Sequence, residues 1–213
     1  VTLMAVPAEE YVEIEFRRQL IADGKIKFLG GKQEMIAIGA MDDIDISMLT
    51  HLGAFEDEKI LAVYGGTNNG FIGKFVRYIG KEAHAGGAPE KGINALKAAT
   101  LGLLGIDMQR ETFMEKDTIR IHPIITKGGD LVNIVPADVR VETYIRGANV
   151  PAIMEAAVKV DRSLQAGALA LGAQVDIDTL PGYLPFRPDN KLDDVHGQNL
   201  VELLGQEHVK KTD

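Results

Sequence analysis

The strongest constraint on this chain is the way its hydrophobic period switches between Phe71 and Leu180. Phe71–Ile79 reads as a strand. A helical stretch follows from Glu90 to Arg110, with Pro89 at its start, where a missing N–H removes no helical hydrogen bond. Thr118–Thr126 returns to a two-residue period and sets Ile119, Ile121 and Ile125 on one face. Asp138–Arg146 does the same, with Val139, Val141 and Ile145 opposed to Arg140, Glu142, Tyr144 and Arg146. Pro151 opens a second amphipathic helix through Ile153, Ala157, Val160, Leu164 and Leu171, and Val175–Leu180 supplies a last strand. The order β-α-β-β-α-β predicts a ferredoxin-like domain, one sheet with both helices on one face.

The flanks read differently. Residues 1–6 form a short apolar run that Pro7 closes, and Ala8 onward turns helical through Val12, Ile14, Phe16, Leu20 and Ile21 until Asp23-Gly24. A second short helix is predicted from Lys32 to Ile38. Strands are predicted at Asp45–Thr50, ending at His51, and at Ile60–Tyr64 before Gly65-Gly66. A proline-rich linker, Pro181 to Pro185, leads to a final helix over roughly Leu192–Lys210. The fold expected is α/β: a partial α/β domain from 1–70 and 184–213, with the ferredoxin-like domain, 71–183, inserted into it.

Composition excludes several classes of function. The 213 residues carry a formal charge of −8, which argues against a nucleic-acid binder with its basic face. No apolar run reaches the roughly 18 residues a membrane helix needs. There is no cysteine, so neither a disulfide framework nor a thiolate metal site is available, and the expectation is a cytoplasmic protein.

Chemistry must then come from carboxylates, imidazoles and a few polar side chains. Glu9 and Glu10 stand together after Pro7-Ala8, where open α/β sheets place ligand sites; two acids in a first helical turn would also need no chemistry. Glu10 with His51 offers a carboxylate–imidazole pair suited to zinc, but two ligands are fewer than the three or four zinc takes. Asp42, Asp43 and Asp45 read as turn acids, His122 beside Pro123 as structural, and His196 and His208 as surface residues of the last helix. His84 sits in the glycine-softened stretch Lys81–Leu96, which runs into the predicted helix, and Asn133 in the glycine-rich connection Lys127–Pro136. Asn133 with Arg146 makes a competent pair for a carboxylate, the guanidinium giving two parallel bonds.

Taken in order, Pro-Ala-Glu9-Glu10, Gly39-Ala-Met-Asp-Asp-Ile-Asp followed by His51, Gly80-Lys-Glu-Ala-His84-Ala-Gly, and Asn133-Ile-Val-Pro136 with Arg146 resemble the zinc aminoacylase and glutamate carboxypeptidase family (peptidase family M twenty), in its aminobenzoyl-glutamate-hydrolase-like amidohydrolase branch. The resemblance implies that 71–183 is a dimerisation lid inserted into a zinc-binding catalytic domain. It implies hydrolysis of the amide bond of N-acyl amino acids or small peptides with a free carboxylate, by a homodimer. Glu9 resembles the general base, Glu10 and His51 metal ligands, and His84 the lid histidine that stabilises the oxyanion in the partner subunit's site. Asn133 and Arg146 resemble the residues that hold substrate. The implied cofactor is a divalent metal, zinc at two per site, with manganese or cobalt using the same ligands.

The family's ligand motifs ahead of the first strand and near the carboxyl end have no match here. The chain is therefore expected to be a segment of a catalytic domain that is inactive alone. A rival expectation is a non-catalytic ferredoxin-like module that dimerises or binds a small carboxylate; a third, an acidic structural protein, leaves the motifs unexplained.

Overall fold

A computed structural model describes residues 1–8 and 11–212. The chain divides into two compact units: residues 69–185, and residues 1–68 together with 186–213. The fold class is mixed α/β, as expected.

In the first of these units, β2 (Gly70–Ile79) runs to α3 (Ala95–Met108), then β3 (Arg120–Ile121), β4 (Ile124–Lys127), β5 (Asp138–Gly147), α4 (Val150–Leu171) and β6 (Gln174–Pro181). The sheet order is β3-β5-β2-β6, with β4 also on β5, and all pairings are antiparallel. This is the ferredoxin-like arrangement. The alternation along β5 is kept: Val139, Val141 and Ile145 are buried beneath the helices, while Asp138, Arg140, Glu142, Tyr144 and Arg146 take the other face.

The helices approach closely because small residues meet at their crossing. A methyl group on Gly167 would lie 2.4 Å from the Ala98 carbonyl oxygen, and one on Gly102 would lie 2.3 Å from the Tyr78 hydroxyl. That hydroxyl donates to the Leu164 carbonyl at 2.9 Å, and burial raises its pKa above the ordinary tyrosine value. One charge enters this core. Lys74, 2% exposed, donates to the Asp161 carboxylate at 2.9 Å and to the Thr179 hydroxyl at 2.7 Å, so a single ammonium joins β2, α4 and β6.

Three boundaries differ from expectation. The helix predicted from Glu90 begins only at Ala95, where Asn94 caps it by accepting the Lys97 N–H; Pro89–Lys91 is a separate short turn. The strand predicted over Thr118–Thr126 is broken at His122-Pro123, because proline cannot donate to a ladder; His122 is exposed there. Thr118 precedes the strand in a left-handed conformation (φ 48°).

The other unit holds α1 (Ile14–Ala22), α2 (Gly31–Ala37), β1 (Ala62–Gly65), α5 (Asn190–Leu204) and β7 (Val209–Thr212). Gly24, at φ 69°, ends α1 as Asp23-Gly24 predicts. The final helix stops at Gly205 rather than continuing to Lys210, and Val209–Thr212 instead pairs parallel with Ala62–Gly65. His208 thus leaves the helix; its Nδ1 lies 2.6 Å from the Lys59 carbonyl. Residues 1–6 and 45–50 form no strand. The first is an apolar run and the second alternates Ile46 and Met48 with polar neighbours, yet no ladder partner is present among the described residues, and a strand without one leaves its backbone to water. No helix of the described residues is long and apolar enough to cross a membrane.

Candidate functional site

His84 lies in the loop between β2 and α3, which is laced to the loop before β5. Gly80 N–H donates to Ala137 (2.8 Å), Ala85 N–H to Asn133 (2.9 Å), Val135 N–H to Ala83 (2.9 Å) and Ala95 N–H to Pro136 (2.9 Å). Lys81 and Ile93 exchange both backbone hydrogen bonds at 2.9 Å and close the loop at its base. The backbone of His84 is therefore anchored, although its side chain is exposed.

The imidazole is oriented from within its own loop. Its Nδ1 accepts the backbone N–H groups of Gly86 (3.2 Å) and Gly87 (2.8 Å). An accepting Nδ1 carries no proton, so the neutral ring bears its proton on Nε2. Sequence suggested that Gly86 and Gly87 give the loop freedom. The structure adds a closer role for their backbones, which donate to the ring, and a methyl group on Gly87 would crowd Nδ1 at 3.2 Å while one on Gly86 would meet the ring at an ordinary 3.6 Å.

Asn133 is exposed beside this loop, its backbone tied to Ala85, and its carboxamide makes no hydrogen bond among the described residues. The same holds for His84 Nε2. One loop pair thus presents a tautomer-fixed N–H donor and an uncommitted amide.

Arg146 is elsewhere. It pairs with Phe71 at the far end of the β2–β5 ladder, whereas the loops follow Ile79 and precede Asp138. At roughly 3.3 Å per residue, Arg146 stands about 26 Å along the strands from the loop end. Within one chain, Arg146 and Asn133 do not form the carboxylate clamp that their closeness in sequence suggests. Arg146 instead lies over an aromatic platform, its guanidinium carbon 5.2 Å from the centre of the Phe71 ring and 5.6 Å from that of Tyr144. Tyr183 meets Phe71 edge-on at 4.6 Å.

The base of the loop pair is fixed by charge. Asp138, first residue of β5, accepts from Arg77 Nε at 2.7 Å and from Lys127 Nζ at 3.2 Å. Desolvation alone would raise its pKa, but hydrogen bonds from Arg77 and Lys127 outweigh that and hold it below the ordinary aspartate value. Hydrogen bonds to Asp138 and Asp130 raise Lys127 in turn.

On the metal side, Glu9 and Glu10 lie outside the described residues. His51 is exposed and sits in irregular chain rather than at a strand end, with Nδ1 2.8 Å from the Leu52 carbonyl. Among the described residues no three His, Asp or Glu side chains converge to hold an ion. Those residues alone do not make a zinc site, which takes three or four ligands.

Two features escaped sequence inspection. An open cleft of about 410 Å³ lies at the carboxyl ends of β1 and β7 beside the start of α5, lined by Gly65, Gly66, Arg187, Asp193 and Lys211 among others. Arg120 is the direct cross-strand partner of Arg146, which only the register reveals.

Residues 67–165 match the peptidase dimerisation domain of family M twenty. The chain is 29% identical over 185 residues to a mouse Xaa-Arg dipeptidase, covering 85% of this chain and 40% of that protein. It is 28% identical over 176 residues to one of the subunits of the Escherichia coli p-aminobenzoyl-glutamate hydrolase, covering 77% and 35%. Among solved structures, an aminobenzoyl-glutamate utilization protein from Klebsiella pneumoniae shares the fold with a TM-score of 0.64 at 22% identity, over 86% of this chain and 47% of that one. The chain thus spans less than half the length of each of these proteins. Residues 67–165 thus match a peptidase dimerisation domain, and the chain around them is similar to part of a protein named as a dipeptidase and of one named as a hydrolase subunit.

Proposed function

We propose that this chain is part of a metal-dependent amidohydrolase that cleaves N-acyl amino acids or small peptides with a free carboxylate, and that residues 69–185 serve as its dimerising lid. The observation that carries the proposal is His84, whose Nδ1 is held by the Gly86 and Gly87 amides so that Nε2–H is presented outward. A neutral donor aimed at a developing oxyanion stabilises the transition state more than the substrate. Asn133, on the adjoining loop, is free to hold the substrate carbonyl or carboxylate. Similarity supports the reaction class: the names of relatives speak of dipeptides, aminobenzoyl-glutamate and N-acyl-L-amino acids, all amides of an amino acid.

Arg146, at the other end of the sheet, serves the same substrate only if two copies contribute. In a two-fold dimer His84 and Asn133 of one protomer face Arg146 of its partner. Glu9 is assigned as general base, with Glu10 and His51 as ligands of zinc or of manganese or cobalt. When bound, such an ion polarises the amide carbonyl and acidifies a water.

Mixing tests the shared site. In an enzyme carrying this segment, H84A and R146A homodimers are each expected to lose about a hundredfold or more in kcat/KM. Randomly reassorted dimers should recover about a quarter of wild-type activity, because half of them hold one intact site. No recovery would place both residues in one protomer's site and end the two-copy assignment.

A second reading is a non-catalytic dimerisation or ligand-binding module, favoured by residues 69–185 forming a compact unit by themselves. Glu9→Ala separates the two: loss of turnover with dimerisation intact supports the hydrolase, and unchanged turnover supports the module.

A further inference from the structure

The strands that lead into the His84 and Asn133 loops bring three cations together. Arg77 of β2 and Arg140 of β5 are direct cross-strand partners, and Lys127 of β4 meets Arg140 from the other side. Like charges opposed in a sheet are destabilising. An irregularity in β4 creates the row. Ile125 pairs with Val141, whose side chain is in the core, and the register then slips by one residue at Thr126, so that Lys127 pairs with Arg140 and shares its outer face. Without that slip Lys127 would fall opposite Val139 and point into the core.

One carboxylate reaches all three. Asp138 accepts from Arg77 Nε at 2.7 Å and from Lys127 Nζ at 3.2 Å, and lies 3.7 Å from Arg140 Nη2. It is half-buried, whereas Asp130, 3.4 Å from Lys127, and Asp176, opposite Arg77 on β6, are exposed. Its partners stand where the loops leave the sheet. Lys127 ends β4 and Asp138 opens β5, so their contact closes the Asn133 loop at its neck. Ile79, the Cα partner of Asp138, is the last residue of β2 before the His84 loop, and Arg77 precedes it by two. The Gly80 N–H meets the Ala137 carbonyl beside this cluster, the first of the bonds that lace the loops together.

We propose that Asp138 is a positioning residue for the reaction: by tying Arg77 at the root of one loop to Lys127 at the root of the other, it holds His84 and Asn133 at a fixed spacing. This rests on the assignment of His84 and Asn133 to the substrate. Asp138 acts through the loops and touches no reacting atom. Without its charge the three cations repel one another, the two roots part, and the bonds between the loops open more often.

Hydrogen exchange on the 213-residue chain and turnover of an enzyme carrying this segment test the proposal together. Asp138→Asn should speed exchange of the Ala85 and Val135 amides, which bridge the loops, about tenfold, the scale of one half-exposed charge-assisted hydrogen bond. The amides of Val76 and Val141, in the core, should change far less. In the enzyme, well below its melting temperature, Asp138→Asn should lower kcat/KM about tenfold. Asp138→Glu keeps the charge and should keep most of both properties. The proposal is overturned if Asp138→Asn leaves the bridging amides unchanged, if core amides quicken equally, or if kcat/KM holds while the bridging amides loosen. H84A measured alongside separates two failures. No loss there removes the oxyanion assignment and this proposal with it; loss there with none in Asp138→Asn removes the role of Asp138 alone.

Discussion

The two units solve the problem of burying a sheet in opposite ways. Residues 69–185 close an antiparallel sheet under two helices, with Tyr78, Val139, Ile145, Val160 and Leu164 almost fully buried. Residues 1–68 and 186–213 hold, among the described residues, only two paired strands, β1 and β7, which run parallel. Parallel sheets occur with both faces covered. Here Ile36, Ile38, Ile46, Leu49, Leu52 and Leu203 are all exposed. The contrast is that residues 69–185 bury one continuous core between sheet and helices, while the other unit buries few apolar side chains within this chain.

The sharpest way to break this contrast is to attack the helix crossing. Gly167→Leu forces a side chain into the Ala98 backbone and should cost more than about 3 kcal/mol, unfolding residues 69–185. Thermal melts followed by amide signals from each unit would show whether β1 and β7 survive. Next in size, Lys74→Ala strands the Asp161 carboxylate and should cost about 2–4 kcal/mol in urea denaturation, whereas the pair Lys74→Met with Asp161→Leu should restore most of it. Hydrogen exchange compares the units directly: amides of 70–79 and 138–147 should exchange far more slowly than those of 62–65 and 209–212.

The smallest effect expected is a pH dependence at Asp138. Its folded pKa lies below the ordinary value, so its contribution is present above about pH 4 and is lost as pH falls through the depressed value. Lys127, raised, contributes fully below about pH 10 and loses its share as pH rises through the higher folded value. Asp138→Asn should therefore be less stable than wild type at about pH 7, with the gap narrowing toward about pH 3 in urea midpoints.

The cohesive unit was legible in the sequence because each of its elements carries its own period. Val139, Val141 and Ile145 announce a half-buried strand without reference to any neighbour. In the other unit the helices and the strand before Gly65 were legible but the pairing was not, because it is remote: Ala62 meets Val209, and Val-Lys-Lys-Thr has no apolar alternation of its own. Asp45–Thr50 shows the reverse failure, a strand-like pattern that finds no partner among the described residues. The site divides in the same way. His84 and Asn133 stood out as residue types in glycine-rich loops, but their joining depends on the Ala85–Asn133 hydrogen bond. Arg146 followed Asn133 closely in sequence and lies far from it in space, because a strand intervenes.

The lacing of the two loops has a mechanical consequence. Ala83, Ala85, Asn133 and Val135 share backbone hydrogen bonds, so the residues on either side of that seam cannot shift separately. The backbone of Asn133 is thereby tied directly to that of Ala85, the residue after His84, so a displacement of one is passed to the other.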